Sequence, residues 1–112
     1  MSNLHLHVSR VGDADVLTVR GPMIAAHAMT LHAALESLLQ NRGATIVVDL
    51  AEARPCDLTA LTVLRAAAAV AVTGGGALRL AGPSAEAQAV LEAARAAKYL
   101  PTFPSIAEAI SA

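Results

Sequence analysis

The chain has 112 residues, 55% of them hydrophobic and 15% charged, with eight basic residues against nine acidic ones and a formal net charge of −1. That is enough chain for one packed core and too little for two, so residues 1–112 are read as a single globular domain. The basic residues are scattered, which leaves no concentrated cationic surface for nucleic acid or for an anionic membrane.

Leu4, Leu6 and Val8 alternate with His5, His7 and Ser9, the period of a half-buried strand. Gly12-Asp13-Ala14-Asp15 supplies a turn, and Val16 to Arg20 is the hairpin partner, ended by Gly21-Pro22. From Ile24 to Gln40, apolar residues recur at Ala28, Leu31, Leu35 and Leu38, one face of a helix, which Asn41-Arg42-Gly43 closes. Thr45 to Leu50 follows as a strand; its unbroken Ile46-Val47-Val48 run predicts burial on both faces.

A second helix starts after Asp57, with Leu61, Leu64, Ala68 and Val72 inward, and stops at Gly74-Gly75-Gly76. These glycines follow a helix and precede a strand, the reverse of a phosphate-binding loop. Ala77 to Ala81 is a strand, and Ser84 caps a third helix with Ala87, Val90, Leu91 and Ala94 inward. Tyr99 to Phe103 is a short edge strand, since Pro101 and Pro104 forbid a central one. Ser105-Ile106-Ala107-Glu108 is a capping box for a last helical turn carrying Ile106, Ala109 and Ile110 on its apolar side. The expected fold is α/β: a mixed, mostly parallel sheet of about four to five strands opened by an antiparallel hairpin, with about four helices.

Cys56 is the only cysteine, so neither a disulfide framework nor a thiolate zinc site is available. Its neighbours give no reason for a lowered thiol pKa, and it reads as a small buried hydrophobe. The alternating N-terminus has no signal-peptide core, and the alanine-rich run Ala66 to Val72 is far shorter than the ~20 residues of a membrane span. A cytoplasmic protein without direct membrane insertion is expected.

The stretch that carries most information is Ile46 to Leu64, IVVDLAEARPCDLTALTVL, in which Asp57 stands at a helix start with exposed N–H groups and positive dipole charge. With its elements in this order, the chain resembles the STAS family, the bacterial anti-sigma-factor antagonists and their relatives, over nearly its full length. The second strand ending in Gly21, the IVVDL strand, the Asp57-x-Thr59-x-Leu61 junction, the Gly-rich turn into ALRLAGPS and the ending KYLPTFPSIAEAI carry the resemblance. It implies a regulatory module without enzymatic activity or cofactor, whose partner-binding residues would be Asp57, Leu58, Thr59, Ala60, Thr62 and Arg65. The implied partner is an anti-sigma factor or serine-kinase-like protein. Some relatives instead bind the cytoplasmic ATPase of an ABC transporter of the lipid-transport type, which stands as the alternative.

The chain departs from the family at two places. The serine that a partner kinase phosphorylates directly follows the aspartate; here that position is Leu58, with Thr59 at the second hydroxyl position and Ala60 in place of a glycine. The Gly-Glu-Leu/Ile-Asp that usually follows the second strand reads Gly21-Pro22-Met23-Ile24. Phosphate gating is therefore expected to be weakened or lost, with Thr59 as candidate phosphoacceptor or as a β-branched filler making local bonds. Leu58 either folds back on a neighbouring loop or projects outward as a docking knob.

The remaining chemistry-bearing residues point elsewhere. His5 and His7 share a strand face without an accompanying Cys or carboxylate cluster, and His27 and His32 diverge on a helix, so no metal site is expected. Met23 and Met29 read as core packing, with a soft interface contact as the other use. The sequence leaves open on which side Arg54 and Arg65 project.

Overall fold

The computed structural model describes residues 3–112. Strands β1 (His5–Val11) and β2 (Ala14–Met23) open the chain, and a single 3-10 turn (Ala25–His27) leads into helix α1 (Ala28–Leu39). Strand β3 (Thr45–Cys56), helix α2 (Leu58–Thr73), strand β4 (Ala77–Ala81) and helix α3 (Ala85–Ala93) follow. A second 3-10 turn (Ala96–Lys98), strand β5 (Thr102–Phe103) and helix α4 (Ile106–Ser111) complete it. The sheet order is β1-β2-β3-β4-β5, with β1 antiparallel to β2 and every other pair parallel, as the strand–helix–strand pattern predicts.

Each central strand turns one set of side chains to each face. Leu17, Val19, Ile46, Val48, Leu50, Leu78 and Leu80 pack under α1, α2 and α3 in the main core. Ala14, Val16, Val47 and Ala81 pack under α4, with Ala109, Ile106, Ile110 and Phe103. The buried run Ile46-Val47-Val48 therefore serves two layers at once. The guanidinium of Arg79 donates to the carbonyl of Ala109 at 3.1 Å, satisfying an acceptor at the end of α4 that has no partner within the helix.

The hairpin closes in two residues, Gly12 and Asp13, with Gly12 at φ +60, the primed geometry that suits twisted strands. Beyond it, β2 and β3 run further than expected. Gly21-Pro22 does not end β2: the strand continues to Met23 through two register shifts against β3, and Pro22 lies buried. Proline has no N–H to offer a ladder, and an irregularity in pairing is where a strand tolerates it. Gly21 is at φ +95, and a Cβ there would lie 2.7 Å from the Asn3 carbonyl oxygen. β3 likewise passes Leu50 and pairs Cys56 with Met23. This extra length delivers the chain to the start of α1 and to the start of α2 side by side.

Four inward assignments are corrected, the first being Val8, which lies exposed on edge strand β1. Val72 is 67% exposed, because the buried face of α2 also takes in Ala60, Ala67 and Ala71 and so turns away from it. Ala94 is exposed at the C-cap of α3, which ends one residue earlier. Met23 is buried in the core, whereas Met29 is 81% exposed on the first turn of α1.

Candidate functional site

The extended backbone of Asp57 hands over from β3 to α2, and the carboxylate serves two elements. Its Oδ1 accepts from the Ala60 N–H at 3.0 Å, the N-cap bond, and its Oδ2 accepts from the Ala25 N–H at 2.9 Å. The Asp57 N–H in turn donates to the Met23 carbonyl at 3.2 Å. The chain entering α1 is thereby tied to the first turn of α2. These bonds hold the Asp57 carboxyl below its ordinary range: the Ala60 N–H is the largest cause, partial desolvation opposes it, and the Ala25 and Thr59 N–H groups add to it.

On this scaffold Leu58 points outward, 61% exposed, and Thr59 beside it is exposed as well. Ala60, expected among the contact residues, is fully buried; its side chain points into the core and cannot touch a visitor. The Thr62 hydroxyl donates to the Leu58 carbonyl at 2.9 Å, so it is spent within the helix. One turn on, the Arg65 guanidinium stacks over the Tyr99 ring, 3.7 Å from its centroid. Arg54 is exposed on the final stretch of β3.

The sequence did not place α3 beside this turn. Leu58 stands between two apolar hollows that join the helices: one also lined by Thr59, Ala89, Val90 and Ala93, the other by Leu61, Arg65, Ala94 and Tyr99. Together they form a groove from the start of α2 across the end of α3. Its floor is low because α3 contributes alanines. The lone tyrosine was the one available signal, a large half-polar ring in a chain whose only other Phe, Tyr or Trp is Phe103.

Bond-making groups at the junction are held back from reaction. The Cys56 thiol is half-buried and pushed up to about 11, first by burial and then by the Asp57 charge, so it stays protonated at neutral pH. The Asp57 carboxylate already accepts from backbone N–H groups through both oxygens. Among the described residues no three His, Cys, Asp or Glu side chains gather as a metal site; His5 and His7 are exposed, and His32 pairs with Glu36 at 3.0 Å along α1. No helix among them is long and apolar enough to cross a membrane.

A family model described as "Mlab, STAS domain" matches residues 6–102. A search of curated proteins returns no match. Among solved structures, an anti-sigma factor antagonist from Mycobacterium paratuberculosis superposes with a TM-score of 0.88 at 16% identity, over 97% of this chain and 92% of that one. A putative anti-sigma factor antagonist from Thermotoga maritima gives 0.85 at 18% identity, over 95% and 92%. The phosphorylated form of the Bacillus cell fate determinant SpoIIAA gives 0.71 at 14% identity, over 96% and 97%. At these identities the structures establish a shared fold.

Proposed function

The chain belongs to the STAS domain family, and from that premise we propose that it is a non-enzymatic regulatory module that captures an anti-sigma factor or serine-kinase-like protein at the start of α2. One observation carries this reading: Leu58, an apolar side chain at the first helical position, is held outward beside a doubly bonded Asp57. Burying that leucine in a partner contributes roughly 1.5–3 kcal/mol, about ten- to a hundredfold in affinity. The mechanism is occupancy: a partner held here cannot hold its other client.

Leu58 has no hydroxyl, so no phosphate can be attached where the family's phosphoserine stands. Contact through it is constitutive. Thr59, exposed at the next position, is the remaining acceptor, and a phosphate on it would gain from the positive end of the helix dipole. Permanent contact also suits a fixed subunit, which favours the second reading, an accessory subunit bound to the ATPase of an ABC transporter.

Affinity capture from the native cytosol with wild type and Leu58→Asp tests both. Wild type is expected to retain one dominant partner, an anti-sigma or kinase protein in the first reading and a transporter ATPase in the second. The variant, with an unchanged melting temperature, is expected to lose at least about nine-tenths of it. Equal capture by the two proteins would remove Leu58 from the interface.

A further inference from the structure

Among the described residues, three of the eight Lys and Arg side chains bond to an oxygen within the fold: Arg10 with Asp15 at 3.1 Å, Arg20 with Glu52 at 3.0 Å and Arg79 with the Ala109 carbonyl. Arg65, Arg95 and Lys98 have no carboxylate partner among the described residues; Arg65 lies in the groove wall, and the other two are exposed on the segment that follows α3. Arg65 lines the groove between α2 and α3, while Arg95 and Lys98 are chain neighbours of its lining residues Ala94, Ala96 and Tyr99. Arg42 and Arg54 also lack a carboxylate partner among the described residues, Arg42 beside the hollow between α1 and α2 and Arg54 exposed on the last stretch of β3.

Two details set this end of the groove apart. Arg65 stacks its flat face on Tyr99, which orders the guanidinium and leaves its in-plane N–H donors for a carboxylate. Arg95 is the only non-glycine residue with positive φ (+51) among the described residues, at the position past a helix end where glycine or asparagine is the usual choice.

We propose that the groove running from Leu58 past Val90 and Ala93 to Tyr99 receives an acidic amphipathic helix of the partner protein, apolar face down and carboxylates toward Arg65, Arg95 and Lys98. The low alanine floor admits a helix closely, and Leu58 at one end and the cations at the other fix its register and direction. This rests on the reading that partners dock at the start of α2.

The probes are two fluorescein-labelled helical peptides of about 16 residues, with one shared leucine face and flanks of either Glu or Lys. Anisotropy titrations of the full chain should give at least about tenfold tighter binding of the Glu peptide. Amide shifts should fall at Val90, Ala93 and Tyr99. Arg65→Glu/Lys98→Glu should reverse the preference, and Leu58→Asp should weaken the favoured peptide in either background. Equal affinity for the two peptides, failure of both to bind, amide shifts confined to α1, or protection of the groove by self-association would each overturn the proposal. If the double charge variant captures the cytosolic partner as wild type does, the acidic-helix inference falls while docking through Leu58 stands; undiminished capture by Leu58→Asp removes the docking reading itself.

Discussion

The two ends of α2 both show exposed aliphatic side chains, and exposure alone would rank them wrongly: Val72 at the end is more open than Leu58 at the start, 67% against 61%. What separates them is the surroundings. The start is fixed by two N–H groups that donate to Asp57 and opens onto a groove shared with α3, with Arg65 two turns on and without a carboxylate partner among the described residues. The end is a glycine stop, with the Gly76 N–H donating to the Ala71 carbonyl at 2.8 Å, and the hollow beside it, lined by Val70, Thr73 and Arg42, is one that Val72 does not line. An apolar side chain becomes a candidate contact when rigid bonds present it and a shaped neighbourhood can receive what covers it.

The sharpest division between the ends is expected in stability. A Cβ on Gly76 would clash with the Ala44 carbonyl oxygen, so Gly76→Ala forces backbone apart and should cost on the order of 3 kcal/mol or more. Gly75 is at φ +86 with open space around it, so Gly75→Ala should cost only the left-handed strain, about 1 kcal/mol. Urea midpoints of the two variants test this ordering; similar values would show that the turn relaxes. The leucine end should behave oppositely. Leu58→Asp places an anion in the first turn, where the helix dipole favours it, so stability holds while partner binding falls about tenfold or more. Val72→Asp places the same charge at the unfavourable end, costing a few tenths of a kcal/mol and leaving binding untouched.

Much of this architecture was legible from local pattern. The Ile46-Val47-Val48 run and the Leu31-Leu35-Leu38 spacing each report a face that must be buried, whereas the alternation in β1 holds for Leu4 and Leu6 and fails at Val8. Asp57, Ser84 and Ser105 were readable as caps, and each accepts from the N–H three residues on. The lengths of β2 and β3 were not readable, because the paired register shifts that carry β2 past Gly21-Pro22 depend on the neighbouring strand. Nor were the Asp57 bond to Ala25, the stacking of Arg65 on Tyr99 or the groove wall from α3: each joins residues distant in sequence, which periodicity cannot bring together.

Asp57 allows a finer test, because its contribution is titratable. Asp57→Ala loses bonds to Ala25 and Ala60 and should cost about 1–2 kcal/mol. The folded carboxyl has a lowered pKa, so its stabilisation is full above the unfolded value, near 3.8, and fades as pH falls through the folded value. The stability gap between wild type and Asp57→Ala should therefore be constant from neutral pH down to about pH 5 and narrow below about pH 4. A gap that stays the same into strong acid would mean that the ionised carboxylate is not what holds the two helix starts together.

The smallest effect separates stability from recognition most cleanly. Arg95 occupies a left-handed position that disfavours a side chain, and glycine relieves that penalty while giving back part of the gain as unfolded-state entropy. Arg95→Gly should therefore raise stability by a few tenths of a kcal/mol, up to about 1. If the cations beside the groove receive carboxylates, the same change should weaken the Glu-flanked peptide by about two- to threefold, a small loss typical of one exposed charge. Gain in melting temperature with loss of affinity is the signature of a residue kept at a structural cost for what it touches. A variant that gains stability and keeps its affinity would leave Arg65 and Lys98 as the groove's only working cations.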